Sequence, residues 1–503
     1  MISRRHFVGS LISGGVAAST AGIVGWNRLR SDGSAADPLL NVRDFGARGD
    51  GRTNDTAAFQ RAAAALNAAG GGTLLIPQGT YVVGAQTLAG RFGRRYAYQA
   101  HPILKLENCP RPVLIEGQNA VLRAAAGLRL GAFHPVTGAA REVRLPFQEV
   151  DYRADAYWGM IDLAGNADVT VRGLELDGND AGLVLGGLWG DQGRQCAAIG
   201  IRAYGNRRLH IEDVHTHHHG LDGVVIGTTG LNERDAPRPH SLLRVVSEYN
   251  ARQGLSWVGG IGLSATDCRF SHTGRARFTT PPGAGVDIEA EESVCRDGRF
   301  VRCEMVNNAG PGMVADVGNG GYSTFESCLF WGTTFWSAWP RRPALRFADC
   351  RFHGSVPNPF GSRDPRLATQ FVRCHFEDRP YQAHGVYRST ALLEADGDNL
   401  LIDGCRFVAN ATKGVYIDGS GTREIVRDTT ITHRHAGVPD GDFQSLLRGA
   451  ELQNVRFVDE QPTRPRTGWY ISVDAVRVGP GVELTGPHTG WGRPTGPRGR
   501  IGG

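Results

Sequence analysis

Four carboxylates stand where a repeating chain would bring them together. Aligning the chain on Gly223, Gly254, Gly285 and Gly312 stacks the segments VVIG, LSWV, VDIE and MVAD. In a strand, the first and third residues after each glycine point inward (Val286 and Ile288, Met313 and Ala315), and the second and fourth share the outer face. Asp287, Glu289 and Asp316 then face outward, and Asp222, just before Gly223, lies two turns earlier on the same side. Asp287 and Glu289 are expected roughly 7 Å apart along one strand, and Glu289 and Asp316 about 5 Å apart on adjacent turns. Such spacings suit paired carboxylates that cleave a glycosidic bond, about 5 Å favouring retention and roughly 6.5–9.5 Å inversion. Crowding raises one pKa and so creates a general acid. Glu289 is the expected acid and Asp287 or Asp316 the base. Clustered carboxylates also suit calcium. The chemistry would then be a lyase reaction, in which the cation neutralises a uronate and a base removes the proton beside it.

Neighbouring residues would complete a sugar site. His218, Tyr249 and Arg252 precede two of the aligned glycines and are candidates for binding substrate or moving a proton. Trp331, Trp336, Trp339 and Arg341 lie in a dense aromatic run, where outward rings would stack on sugars and arginine would hold acidic groups. Trp257, by the same alignment, points inward. The run His217-His218-His219 reads as a polar turn, because strand alternation points neighbours apart; no metal site is assigned.

The elements that must position these residues show as a repeat. A pair of residues, Cys, any residue and then an apolar residue, usually Phe, recurs as TDCRF, VRCEM, ESCLF, ADCRF, VRCHF and DGCRF at Cys268, Cys303, Cys328, Cys350, Cys374 and Cys405. Leu174, Val214, Val246 and Val455 are expected in the same slot of other turns. A slot that accepts Cys, Val and Leu is small, apolar and buried, so the cysteines read as a reduced internal ladder. The absence of C-x-x-C spacing argues against a metal role for them. Short strands recurring with turn residues between them define a β-solenoid. The eight extra residues at 275–282 are expected as a loop over its surface. Composition agrees: 70 of 503 residues are glycine, 41% are hydrophobic and 21% charged, which excludes a disordered chain. Only Lys105 and Lys413 among 55 basic residues are lysine, and no concentrated basic run marks a nucleic-acid footprint.

Two N-terminal segments carry further information. Ser3-Arg4-Arg5-His6-Phe7-Val8 before an apolar stretch reads as a twin-arginine export signal, which makes the export machinery a partner and the periplasm or exterior the destination. Residues 41–83 contain Asp44-Phe45-Gly46-Ala47, Gly49-Asp50-Gly51, Asn54-Asp55-Thr56 and Pro77-x-Gly79-x-Tyr81. This segment resembles the N-terminal part of the pectate lyase superfamily, which includes proteins related to rhamnogalacturonases and polygalacturonases. The resemblance implies a right-handed parallel β-helix. Of the polygalacturonase catalytic segments only Asp222-Gly223 matches; an Asp-Asp pair, G-H-G and R-I-K do not occur. Asn54 or Asp55 should cap a helix running to about Ala69, ended by Gly70-Gly71-Gly72 and followed by a strand from Thr73. That helix would plug the open end of the solenoid.

The expected organisation is a signal at 1–36, an N-terminal cap and first turns at 37–125, a long loop at 126–157, a β-helix with the groove at 158–460, and a C-terminal cap and tail at 461–503. The leading functional expectation is an exported enzyme cleaving a polysaccharide by hydrolysis, without a cofactor. A lyase, with calcium, or a uronate epimerase is the alternative. A non-catalytic carbohydrate-binding β-helix is the further one. Oligomeric state stays open.

Overall fold

In the computed structural model, the described residues are 37–492 apart from 91–94, 144–151, 188–194, 333–335, 380–390, 411, 419–423, 435–444, 461–470, 475 and 486–490. The expected export signal lies outside them. The one α-helix among them, Thr56–Ala69, caps the first coil, with Asp55 at its N-cap and Gly70 closing it at φ 76°. Asn54 Oδ1 accepts from the Thr56 amide, while Asp55 accepts from the amides of Arg48 and Gly49 and so ties the preceding loop to the helix start. The strand Gly72–Ile76 follows one residue earlier than expected.

From there the chain winds as a parallel β-helix. Nearly every strand pairs in parallel with the equivalent strand one coil away, and parallel crossovers of this kind are right-handed. One wall is a sheet of eight successive strands from Leu104–Glu107 to Ala338–Pro340, with the short strand Gly260–Ile261 alongside. A six-stranded sheet from Val356–Pro357 onward lies beyond it. The other two walls form one 25-stranded sheet, folded at a corner. Pairing continues to Trp491–Gly492, so part of the expected C-terminal cap belongs to the coil.

The corner explains the cysteine motif. Asp213, Arg244, Asp267, Arg302, Ser327, Asp349, Arg373, Asp428 and Asn454 all adopt left-handed φ values between 51° and 54°. Each bends the chain by one residue, and the next residue turns into the core. The motif is therefore two strands joined at a bend rather than one strand. Val245, not the expected Val246, fills the slot, because Arg244 makes the bend. The ladder cysteines are buried, and the thiols from Cys303 to Cys405 reach the preceding coil, as in Cys328 Sγ to Phe300 O at 3.5 Å and Cys350 Sγ to Phe325 O at 3.3 Å. Beside this ladder run two columns of stacked phenylalanines, Phe300–Phe325–Phe347–Phe371 and Phe330–Phe352–Phe376–Phe407, with ring centroids 4.4–5.3 Å apart. Fully burying each ring contributes roughly 1.5–3 kcal/mol.

Segment 126–157 is not simply a loop. Arg129–Ala132 and Arg153–Ala154 pair antiparallel and join a five-stranded sheet. The expected surface loop is present. From residue 273 it runs back across three coils, where the Arg277 amide donates to Asp180 Oδ2 at 3.0 Å and its guanidinium to Leu183 O at 2.7 Å.

Candidate active site

The outer face of the eight-stranded wall is built by register. Lys105, Asp162, Arg202, Val225, Ser256, Asp287, Val314 and Trp339 form one column, each paired with the next across adjacent coils. The inward column between them holds Val224, Leu255, Val286, Met313 and Ala338, all buried, as the glycine alignment requires. Trp257 is fully buried and inward.

The carboxylates leave the core but not for solvent. Asp222 and Asp287 are 0% exposed and Glu289 5%. They close around Arg252, itself 2% exposed, whose Nη1 donates to Asp222 Oδ2 at 3.2 Å and Nη2 to Glu289 Oε2 at 3.0 Å. Ser256 Oγ also donates to Asp222 Oδ2, at 3.1 Å. Gln253 Nε2 donates to Asp287 Oδ2, and the Ala284 amide donates to the other end of the Gln253 amide at 3.1 Å, which fixes its orientation. Burial pushes the Asp222 carboxyl up to about 6 against the pull of Arg252. Tyr204, on the coil above, is pushed up to about 12 by burial, with Asp222 and Glu289 adding to the shift.

Several expectations change here. A register break between Asp287 and Glu289 pairs Glu289 with Val317, so Asp316 is not stacked on Glu289. Asp316 is half-buried, and its carbonyl accepts from Arg342. Arg252 is not a free substrate ligand, because two carboxylates already hold it. Trp331 lies on the 25-stranded sheet, with its ring 4.3 Å from that of His353 and its indole N–H on Arg379 O at 2.8 Å, so it is not part of this face. Trp339 belongs to the wall, in the same column as Asp287 two coils away, and the Trp336 ring meets it edge to face at 3.9 Å, with Arg341 5.9 Å from the Trp339 ring.

The three histidines behave in three ways. His217 ends its strand facing outward. His218 has φ 56°, which breaks the alternation and brings its Nδ1 within 2.7 Å of His217 Nδ1. Its ring stacks on Tyr249 at 5.3 Å, and Tyr249 stacks on His272 at 4.8 Å. His219 turns inward and is buried. Its Nδ1 lies 2.8 Å from Tyr157 Oη and its Nε2 3.1 Å from Leu176 O, and burial holds the imidazole down at about 3.

Residues not singled out from sequence complete the face. Arg202 donates to Asp162 at 2.8 Å, and its guanidinium lies 4.8 Å from the Tyr204 ring and 5.7 Å from Trp158. The signal was present: Arg202 and Tyr204 are the second and fourth residues after Gly200, one coil above the alignment. A separate cavity of about 660 Å³, lined among others by Asp168, Arg207, Arg208 and Arg238, includes none of these carboxylates. Among the described residues one metal-competent group occurs, Glu175 with His215 and His217, on the other sheet.

Residues 39–89 match the family model described as rhamnogalacturonase A/epimerase, pectate lyase-like. Mannuronan C5-epimerase AlgE6 of Azotobacter vinelandii is 32% identical over 200 residues, which is 37% of this chain and 20% of that protein. Mannuronan C5-epimerase AlgE4 of the same organism is 31% identical over 196 residues, 37% of this chain and 31% of that protein. The alignments thus span less than a third of either relative. Among solved structures, the N-terminal fragment of bacteriophage phi29 gene product 12 superposes with a TM-score of 0.53 at 13% identity, over 88% of this chain and 71% of that one. With the coil architecture, the structural match shows a right-handed parallel β-helix fold, and residues 39–89 are similar to the pectate lyase-like family model.

Proposed function

We propose that the chain is a carbohydrate-active enzyme that moves the proton on the carbon beside a uronate carboxylate within a polysaccharide, as a C5-epimerase. The observation that carries this reading is the buried set Asp222–Arg252–Glu289 on the outer wall. A coil needs no charges there, and burying them is costly, so a function is the natural reason for keeping them. Similarity to two mannuronan C5-epimerases supports the substrate class.

The arrangement favours proton transfer over hydrolysis. A glycosidase needs one carboxyl to protonate the leaving oxygen and a second to act from the opposite face. Here Asp222 and Glu289 share one guanidinium, and Asp287 is held by Gln253. In the proposed reaction Glu289 takes the C5 proton and the Tyr204 phenol returns one to the other face. Arg252 supplies positive charge beside the developing enediolate, so calcium is not needed at this wall. Asp222 positions Arg252 from beneath. Trp336 and Trp339 stack on sugar units further along, and His218 and Tyr249 flank the wall. β-Elimination is the same proton abstraction followed by loss of the C4 substituent. The N-terminal twin-arginine motif belongs to this reading, since it would deliver the enzyme to extracellular polymer.

Polymannuronate incubated with the protein in deuterated water tests the proposal by proton NMR. The expected result is solvent deuterium at C5 with guluronate signals and unchanged chain length. Unsaturated ends would identify a lyase. New reducing ends without unsaturation would restore the hydrolase, and silence in all channels would leave a binding protein.

A further inference from the structure

The 25-stranded sheet carries a second chemical cluster, on a different sheet from Asp222, Arg252 and Glu289. His215 and His217 lie two residues apart on the strand Leu209–His217 and project from the same face. Glu175 pairs with His215 on the preceding coil, and Glu248 pairs with His217 on the following one. The contacts run diagonally: His217 Nε2 is 3.4 Å from Glu175 Oε1, and His215 Nε2 is 3.2 Å from Glu248 Oε1. The two imidazoles are 4.4 Å apart.

We propose that Glu175, His215 and His217 form a binding site for a divalent transition-metal ion, with zinc as the fitting occupant. One ligand atom from each lies within 4.8 Å of the others. Ligands about 2.1 Å from a tetrahedral zinc stand roughly 3.4 Å apart, so small side-chain rotations close the set. Two imidazoles and one carboxylate select zinc and its neighbours over calcium or magnesium, which take oxygen ligands. The side chains are 41%, 41% and 13% exposed for Glu175, His215 and His217, so an ion can enter and a water or Glu248 can take the fourth position.

The surroundings resemble the outer contacts that orient metal ligands. His217 Nδ1 meets His218 Nδ1 at 2.7 Å and lies 3.9 Å from Asp177 Oδ1, which fixes the ring with Nε2 toward Glu175. When the shared proton sits on His217 Nδ1, the Nε2 lone pair faces a carboxylate oxygen, and a cation between them relieves the repulsion. The ion would bridge two coils directly and a third through Glu248.

Calorimetric zinc titration of the tag-free full chain, with cobalt absorption as the geometric probe, tests the site. The expected result is one equivalent bound, a cobalt spectrum of tetrahedral intensity and a rise in Tm with zinc. His215→Ala and His217→Ala should each weaken binding by more than about 100-fold, and Glu175→Gln by roughly 10–100-fold. His210→Ala, on the same strand but outside the cluster, should leave it unchanged. Circular dichroism would establish that each variant is folded, and should either histidine variant fail to fold, Glu175→Gln carries the test. No zinc or cobalt binding, or affinity that survives these substitutions, overturns the proposal.

Discussion

Arg252 holds two carboxylates out of water on a face where the coil requires neither. Removing one partner of such a buried set is costly, because it strands the others. Arg252→Met should destabilise the protein by about 3–5 kcal/mol, read by urea denaturation. Glu289 reaches furthest toward solvent of the three, and a glutamine oxygen can still accept from Arg252, so Glu289→Gln should cost less stability than Arg252→Met while lowering kcat by about 10²- to 10⁴-fold with little change in KM. An equal loss of binding would mean that Glu289 holds substrate rather than a proton. Asp222→Asn acts through Arg252. It should remove an inflection near pH 6 from the kcat/KM profile, because the Asp222 carboxyl titrates at about 6. Trp336→Ala and Trp339→Ala should raise KM more than they lower kcat, as expected of rings that hold sugar away from the reacting carbon.

Strands and corners set where these side chains stand. A one-residue register break moves Asp316 off Glu289, so one bulge decides which carboxylates meet. The left-handed corner costs energy at each non-glycine residue, and stacking on the next coil holds it there. Small or branched apolar residues fill the slot behind it, as Val214, Val245 and Val455 do. Cys328→Val should therefore cost less than about 1.5 kcal/mol. Phe352 packs on Phe330, Phe347, Phe371 and Phe376, so Phe352→Ala should cost about 3–5 kcal/mol. A denaturation midpoint that did not move would show that neighbouring coils collapse into the gap.

Across the whole molecule, pH dependence follows from buried histidines. His219, His240 and His353 are 0–3% exposed, and burial holds their imidazoles down at about 3, 4 and 4. Unfolded histidine titrates near 6.5, so on acidification the unfolded chain binds protons that the fold refuses. Their contribution is complete above about pH 6.5 and falls as pH drops toward their folded values, by about 1.4 kcal/mol per unit for each. Asp222 works the other way. Its raised carboxyl favours the fold fully below the ordinary 3.8, and that gain is lost as pH rises through about 6. Asp155 and Asp162 are raised by burial in the same sense as Asp222, while His217 and His375 are lowered like the three histidines above; the imidazoles outnumber the carboxyls, which predicts lower stability at pH 5 than at pH 7, measured by urea midpoints. A higher midpoint at pH 5 would contradict the burial of these imidazoles.

The residue pattern alone determined the solenoid, the capping helix to Ala69, the cysteine ladder and the inward and outward faces around Gly223 to Gly312. These follow from local alternation and from a repeat whose turns see nearly the same surroundings. Asp222, Arg252, Asp287 and Glu289 were legible as members of one face. Tertiary structure decided that they are buried, that Arg252 is already held, that Asp316 is out of register with Glu289 and that Trp331 sits on another wall. Bulges and left-handed residues shift register by single positions, and nothing in period-two alternation marks them. The side chains of Glu175, His215 and His217 lie 42 residues or fewer apart in sequence yet meet only because successive coils stack in register, which is a property of the wound chain.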